Sequence, residues 1–315
     1  MRNYILALFS LIITFFFLKK SLPYFKKYLL DNPNQRSSHK VAKPRGGGIG
    51  FVFVGSIFCL LSGNIIPLYC VPLSVIGIID DLYNLPAFLR YVAQFITVSL
   101  LLFLNENSFL IQNFLFLNSF IFCFFVIILA TAIINFSNFM DGIDGLVAGC
   151  FVVILLFSSI VNDSSILPLV TSVLGFLILN WNPSKLFMGD SGSTFLGAVL
   201  VGLILHSGNI KDSISLILIS SPLLFDAATC VIRRLYFGEN IFKAHKSHLY
   251  QRLVQSGWSH SKVSTLYISV TIFLAISYLI FGLIPLLLFS LLMLIFGIYL
   301  DLYIAVPFKL NYKNN

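Results

Sequence analysis

Charge is scarce in this 315-residue chain: Asp, Glu, Lys and Arg together make up 10%, against roughly 25% in an ordinary soluble domain. Acids are the scarcest, 12 against 20 Lys and Arg. So little charge cannot cover a water-soluble globule of this size. That excludes a soluble enzyme, a nucleic-acid-binding domain and a disordered chain, and leaves too few polar residues for a large extramembrane domain. Cysteine is sparse too. Cys59, Cys70, Cys123, Cys150 and Cys230 all sit in apolar runs and form no CxxC pair. They read as small buried hydrophobes rather than disulfides or metal ligands. No internal repeat or low-complexity linker divides the chain, so residues 1–315 read as one domain. A cleaved signal peptide is not expected, because the first apolar run is followed, not preceded, by the basic pair Lys19 and Lys20.

What fills the chain is apolar: 58% hydrophobic residues and 33 Phe, with a mean hydropathy of +0.95. At about 18 apolar residues per crossing, that allows roughly ten membrane spans. Eleven apolar segments are visible, near 4–18, 47–62, 65–79, 91–104, 118–134, 146–161, 166–180, 194–206, 213–231, 264–281 and 284–300. The third is short and carries Pro67 and Pro72. Charge counting retains it. With the N-terminus outside, 18 of the 20 Lys and Arg fall in alternate loops, leaving Arg2 and Lys211 on the other side. Positive residues mark the cytoplasmic face. Dropping the third segment would destroy this asymmetry. The expected fold is therefore all-α, a polytopic membrane protein of about eleven transmembrane helices, N-terminus outside and C-terminus cytoplasmic. The net charge of +8 reads as topology, not as affinity for nucleic acid.

The cytoplasmic loops, near 19–46, 80–90, 135–145, 181–193 and 232–263, are short yet hold most of the chemistry. The first carries His39, Lys43, Arg45 and the glycines 46–48. Such a segment lets backbone approach a phosphate beside basic groups, or it is a topology-setting loop leading into a small-residue packing face. The second opens with Asp80 and Asp81. Adjacent carboxylates at a helix C-terminus repel each other and oppose the helix dipole. A bound cation relieves both conflicts, and one carboxylate of shifted pKa could act as a base; a solvated helix end is the alternative. In the third, Asn135, Asn138, Asp141 and Asp144 recur every third residue, with Gly142 and Gly145 between. Asp190, between glycines just before a span, offers a carboxylate and a helix N-terminus suited to phosphate, or is a plain N-cap. The last loop carries Arg233, Arg234, His245, His248 and Arg252. Zinc needs more ligands than two histidines and no cysteine is near, so a cationic platform for phosphates fits better. Together these loops suit an anionic, phosphate-bearing substrate bridged by Mg²⁺.

The residues Asp80 and Asp81, the run from Asn138 to Gly145, and the run from Phe187 to Ser193 resemble the polyprenyl-phosphate N-acetylhexosamine-1-phosphate transferases, glycosyltransferase family 4. This superfamily includes the phospho-MurNAc-pentapeptide transferase. The resemblance covers roughly residues 36–255. His245, His248, Gln251, Arg252 and Leu253 look most like the branch that starts O-antigen or related surface glycans. Two departures separate the chain from the pentapeptide branch: no Lys closely follows the paired aspartates, and its three consecutive histidines are here split into His245 and His248.

The resemblance implies transfer of N-acetylhexosamine-1-phosphate from a UDP-sugar to undecaprenyl phosphate, releasing UMP, at the cytoplasmic face of a bacterial inner membrane. It implies Mg²⁺, with Mn²⁺ as a substitute, held by Asp190 with Asp81 as a helper. Asp80 would be the acid–base residue or, alternatively, a covalent nucleophile. Asp144, Gly142, Ile143, Asn180 and Phe187 would hold the uridine, with Asn138 and Asp141 lining the same cleft. His39, Lys43, Arg45, His245, His248 and Arg252 would contact phosphates or sugar. Asp226, the one acid inside an expected span, would support the Arg233–Arg234 end of its helix. Expected partners are the UDP-N-acetylhexosamine, undecaprenyl phosphate and membrane lipids, no nucleic acid, and a homodimer as an open alternative. Competing readings are the pentapeptide transferase and a secondary transporter. A transporter would place polar groups near mid-membrane on repeated or broken helices.

Overall fold

A computed structural model describes residues 1–31, 33, 41–103, 119–240 and 245–308. Its described elements are helices, apart from one small ribbon. They are α1 (Arg2–Tyr28), α2 (Gly48–Ser62), α3 (Ile66–Tyr83), α4 (Ala87–Phe103), α5 (Ser119–Phe139), α6 (Leu146–Val161) and α7 (Leu167–Asn180). Then follow α8 (Asp190–Leu205), α9 (Ile210–Ile219), α10 (Ser221–Tyr236), α11 (Leu249–Gln255), α12 (His260–Phe281) and α13 (Leu283–Tyr303). The protein is an all-α, multi-pass membrane protein. Five helices, α1, α3, α5, α12 and α13, are long and apolar enough to cross a membrane, and the bent pair α9–α10 makes a sixth. Helices α2, α4, α6, α7 and α8 are apolar but shorter.

The third apolar segment is a continuous helix, as the charge count required. Pro67 lies in the first turn of α3, where its missing N–H has no helical partner to lose, and Pro72 is tolerated within the helix. The ninth segment is not straight: α9 and α10 meet at 67°. Ser220 and Ser221 precede Pro222 at this break, which removes an N–H and ends the first helix.

Helix α8 is the axis of the fold. From Ser191 to Leu205 every side chain is buried, and α2, α3, α4, α5 and α9 pack round it. A helix apolar on all sides must be covered on all sides, and its neighbours approach closely through small residues. A Cβ on Gly77 of α3 would lie 2.6 Å from the Ser191 Cα, and one on Gly48 of α2 would lie 2.5 Å from the Gly192 Cα. Both contacts are backbone on backbone, at the first turn of α8. By contrast α1, α5, α12 and α13 carry exposed Phe, Ile and Leu such as Phe16, Phe125, Leu129, Ile280, Ile284 and Leu288. These faces suit lipid.

A two-stranded ribbon pairs β1 (Leu30–Asp31) with β2 (Lys43–Pro44), antiparallel. The chain beyond β2 then pairs with the segment before α8. Phe187 N–H donates to Pro44 O (2.8 Å), and the amides of Gly47 and Gly48 donate to Phe187 O and Met188 O (2.9 Å each). The glycines expected to approach a phosphate instead seat the first basic loop against the entrance to α8. This is the packing alternative of the two.

Candidate active site

The bundle end that carries the C-terminus of α3 and the N-terminus of α8 gathers Asp80, Asp81, Asp141 and Asp190, four of the chain's 12 acids. Helix α3 stops after Tyr83 because Asn84 takes a left-handed conformation (φ 50°) and its N–H closes on Asp80 O. The Leu85 amide donates to Asp80 Oδ1 (2.7 Å), and Arg90 Nη1 donates to Asp80 Oδ2 (3.0 Å). Arg90 also faces Asp190 Oδ2 at 3.8 Å, and the Asp80 and Asp190 carboxyls are within hydrogen-bonding reach of each other. Asp81 Oδ1 pairs with Arg45 at 3.3 Å. Its Oδ2 is buried against Gly189, where a Cβ would come within 2.5 Å of it, and the carboxylate faces the amides of Asp190 and Ser191. Asp141 belongs to the same group. Its carboxyl is pushed up to about 7 by burial and by the charges of Asp81 and Asp144. Four carboxylates thus share a small volume with two guanidiniums.

Asp144 is set apart by its bonds. Its Oδ1 accepts from Ser184 Oγ (2.8 Å) and its Oδ2 from the Ser184 amide (3.2 Å). Lys43 Nζ and His260 Nδ1 each lie 3.5 Å from Oδ2. Burial would raise this carboxyl, but His260, Ser184 and Lys43 together hold it down at about 2. Its folded value is therefore below the ordinary one near 3.9. The stabilisation is complete above about pH 4 and is lost as pH falls through about 2. An acid titration of the melting temperature checks this: Asp144→Asn should show a shallower fall than wild type over that window.

Asn180 is an internal staple. It accepts from the Gly145 amide (3.0 Å) and donates to Leu186 O (3.0 Å). Asn138 accepts from Ser193 Oγ (3.3 Å), tying α5 to the first turn of α8. Gly142 lies against Tyr250, where a Cβ would be 2.1 Å from the hydroxyl, and that hydroxyl donates to Phe139 O (3.1 Å). Ile143 is buried. Lys43 Nζ stands over the Phe187 ring at 5.1 Å and donates to Ser184 Oγ at 2.8 Å.

The last loop joins this assembly through His248. Its ring stacks on Tyr250 (5.7 Å between centroids), lies 6.2 Å from Phe139 and 5.0 Å from His245. Asp226 does not support Arg233 and Arg234. It accepts from the amides of Leu249 (2.7 Å) and Tyr250 (3.0 Å) and from the Tyr267 hydroxyl (2.7 Å), anchoring the N-terminus of α11. Arg233 pairs with Asp301, and Arg234 with Glu239. Arg252 is also internal: buried, paired with Asp301, and donating to Ser247 O (3.1 Å) and Val306 O (2.9 Å). His39 lies outside the described residues.

Arg90, Ser184 and His260 belong to this site without a motif that announces them. Arg90 carries a signal, as the lone cation of its loop. Ser184 and His260 are joined to Asp144 across long stretches of sequence.

The fold and the site define a membrane-embedded enzyme whose polar centre, rich in carboxylate and guanidinium, sits at one end of an apolar bundle. Residues 64–208 match Glycosyl transferase family 4. A probable undecaprenyl-phosphate N-acetylglucosaminyl 1-phosphate transferase of Bacillus subtilis is 29% identical over 272 residues, covering 78% of this chain and 75% of that protein. A phospho-N-acetylmuramoyl-pentapeptide-transferase of Staphylococcus aureus is 29% identical over 311 residues, 85% of this chain and 95% of that protein. A decaprenyl-phosphate N-acetylglucosaminephosphotransferase of Mycobacterium leprae is 27% identical, covering 74% and 72%. The chain is similar to glycosyl transferase family 4 over this central part and is a glycosyl-1-phosphate transferase.

Proposed function

We propose that the enzyme transfers N-acetylhexosamine-1-phosphate from a UDP-sugar to undecaprenyl phosphate, releasing UMP, as the first lipid-linked step of O-antigen or another surface polysaccharide. The observation that carries this reading is the meeting of Asp80, Asp81 and Asp190 with Arg45 and Arg90 at the bundle end. The lipid phosphate oxygen attacks the β-phosphorus of the donor. The bond from that phosphorus to the bridging oxygen breaks, and UMP leaves with the oxygen. Nucleophile and electrophile are both anionic. Two unit charges 4 Å apart repel by about 4 kcal/mol at an effective dielectric near 20.

Asp190 and Asp81 would hold Mg²⁺, or Mn²⁺ in its place. The buried Asp81 Oδ2 and the burial, with the neighbouring charges of Asp81 and Asp144, that pushes Asp141 up to about 7 both suit a hard cation bound among oxygens. When bound, Mg²⁺ would supply positive charge against the pyrophosphate. Arg45 and Arg90, fixed by Asp81 and Asp80, add their own at the same place. Asp80 would take the residual proton of the lipid phosphate. Phe187, Gly142 and Ile143 would face the uridine, with Asn138 and Asp141 beside them. Asp144 and Asn180, already bonded inside the protein, would position the loops that carry them. Lys43, His245 and His248 would face phosphates or sugar, with His39 completing the set, while Arg252 would fix the turn that bears the histidines.

We also place the polar centre on the cytoplasmic face of a bacterial inner membrane, with eleven crossings and the N-terminus outside. Each of the eleven apolar segments coincides with a described helix or with the bent pair, and 18 of 20 Lys and Arg then share one side. The absence of a Lys closely after Asp81 and the separated histidines favour a simple UDP-N-acetylhexosamine over the pentapeptide precursor.

The test is UMP release by purified enzyme with undecaprenyl phosphate, Mg²⁺ and a panel of UDP-N-acetylhexosamines. The expected result is release that requires lipid phosphate and metal together, with one sugar preferred. Release only with the pentapeptide donor would reassign the enzyme to peptidoglycan synthesis.

A further inference from the structure

We propose that Cys230, His245 and His248 form a second metal site, for a borderline-soft transition metal such as Zn²⁺. The folded chain overturns the expectation that no cysteine lies near the two histidines. One donor atom from each of the three residues lies within 4.8 Å of the others. Cys230 comes from α10, and the histidines come from the turn before α11. Neighbouring donors in a tetrahedral zinc site stand about 3.5 Å apart. The three therefore need to close by up to about 1.3 Å, and His245, half-buried on its turn, can supply that movement.

The surroundings are those of a ligating histidine. His248 Nδ1 is buried and faces Asp226 Oδ1 at 3.7 Å, a few tenths of an ångström beyond hydrogen-bond distance. Asp226 is itself held by Leu249, Tyr250 and Tyr267. A carboxylate that accepts from one ring nitrogen, as Asp226 would once this gap closes, fixes the tautomer and leaves the other nitrogen for metal. The donor set of one sulfur and two nitrogens differs in kind from the carboxylates round Asp190. Thiolate and imidazole select zinc-like ions, whereas oxygens select Mg²⁺. On binding, the Cys230 S–H bond breaks, its proton leaves to solvent and an S–metal bond forms. A water fills the fourth position. Occupancy would draw both imidazoles away from the donor's phosphates, a consequence that rests on the function proposed above.

Co²⁺ is the probe, titrated into the purified full-length protein without substrate. Thiolate ligation gives an intense near-ultraviolet charge-transfer band, and Co²⁺ held by carboxylates gives none, so the two sites are read apart. The expected result is a band saturating at about one Co²⁺ per chain, displaced by Zn²⁺, lost in Cys230→Ser and Cys230→Ala, and kept in Cys123→Ser. Both Cys230 variants should keep the wild-type melting temperature and Mg²⁺-dependent UMP release, which shows them folded. No band in the wild type, or a band that survives in Cys230→Ser, would overturn the site. In a separate arm, Zn²⁺ should inhibit wild-type UMP release far more than that of Cys230→Ser. Equal inhibition of the two would overturn the regulatory consequence alone.

Discussion

Replacing Asp190 with Asn lowers UMP release by at least about 10²–10³-fold, the range seen when a single charge-stabilising group is lost from an active site. The carboxylate begins α8, near Asp80 and 3.8 Å from Arg90. Asn keeps the shape and removes the charge that would ligate Mg²⁺. The fold should survive, because the α8 side chains that pack the bundle begin at Ser191. Removing one carboxylate also relieves repulsion from Asp80 and Asp81, so the melting temperature of the metal-free variant should equal or exceed that of wild type. Asp163→Asn is the control. That residue caps a short 3-10 turn by accepting from the Ser165 amide and should leave activity within about twofold. Activity of Asp190→Asn within about tenfold of wild type would remove Asp190 from the metal site.

Gly77→Val should be the most damaging single change to packing. A Cβ at this position meets the Ser191 Cα and N at 2.6 Å and the Asp190 carbonyl carbon at 2.7 Å. None of these atoms belongs to a flexible side chain, so α3 and α8 must separate. Overpacking of this kind costs about 1–3 kcal/mol. The loss of activity should exceed the loss of stability, because the displaced turn carries Asp190 and the displaced helix carries Asp80 and Asp81. Gly297→Ala on α13 gives the contrast: its Cβ meets nothing within 4 Å, and replacing Gly by Ala inside a helix favours the helix by about 1 kcal/mol. Melting curves and UMP release of the two variants check both statements. Equal behaviour would mean that the α3–α8 contact does not position the site.

Much of this was legible in the chain because membranes impose simple rules. Apolar runs had to become helices, and each described one did. The proline-bearing third segment could be retained on charge alone, since losing it would scatter Lys and Arg over both faces. Asp80, Asp81 and Asp190 stood out because acids are so few. What stayed hidden were pairings across long separations. Nothing in the sequence joins Asp144 to Ser184 and His260, Asp226 to the amides of Leu249 and Tyr250, or Cys230 to His245 and His248. The glycines at 46–48 were ambiguous for a related reason. Small residues serve close approach to a ligand and close approach to another helix equally well, and only the fold decides which surface arrives. The bend between α9 and α10 depends on Pro222 and on packing beyond it, so a hydropathy pattern reads the pair as one segment.

The central claim is that a sugar and its phosphate move together onto a lipid phosphate. It is tested most directly with a UDP-N-acetylhexosamine carrying phosphorus label at the β-position, incubated with the enzyme, undecaprenyl phosphate and Mg²⁺. The label should enter the lipid extract together with the sugar, leaving unlabelled UMP in the aqueous phase. Label remaining in UDP while sugar enters the lipid would contradict the account, because the bond broken would then lie between sugar and phosphate.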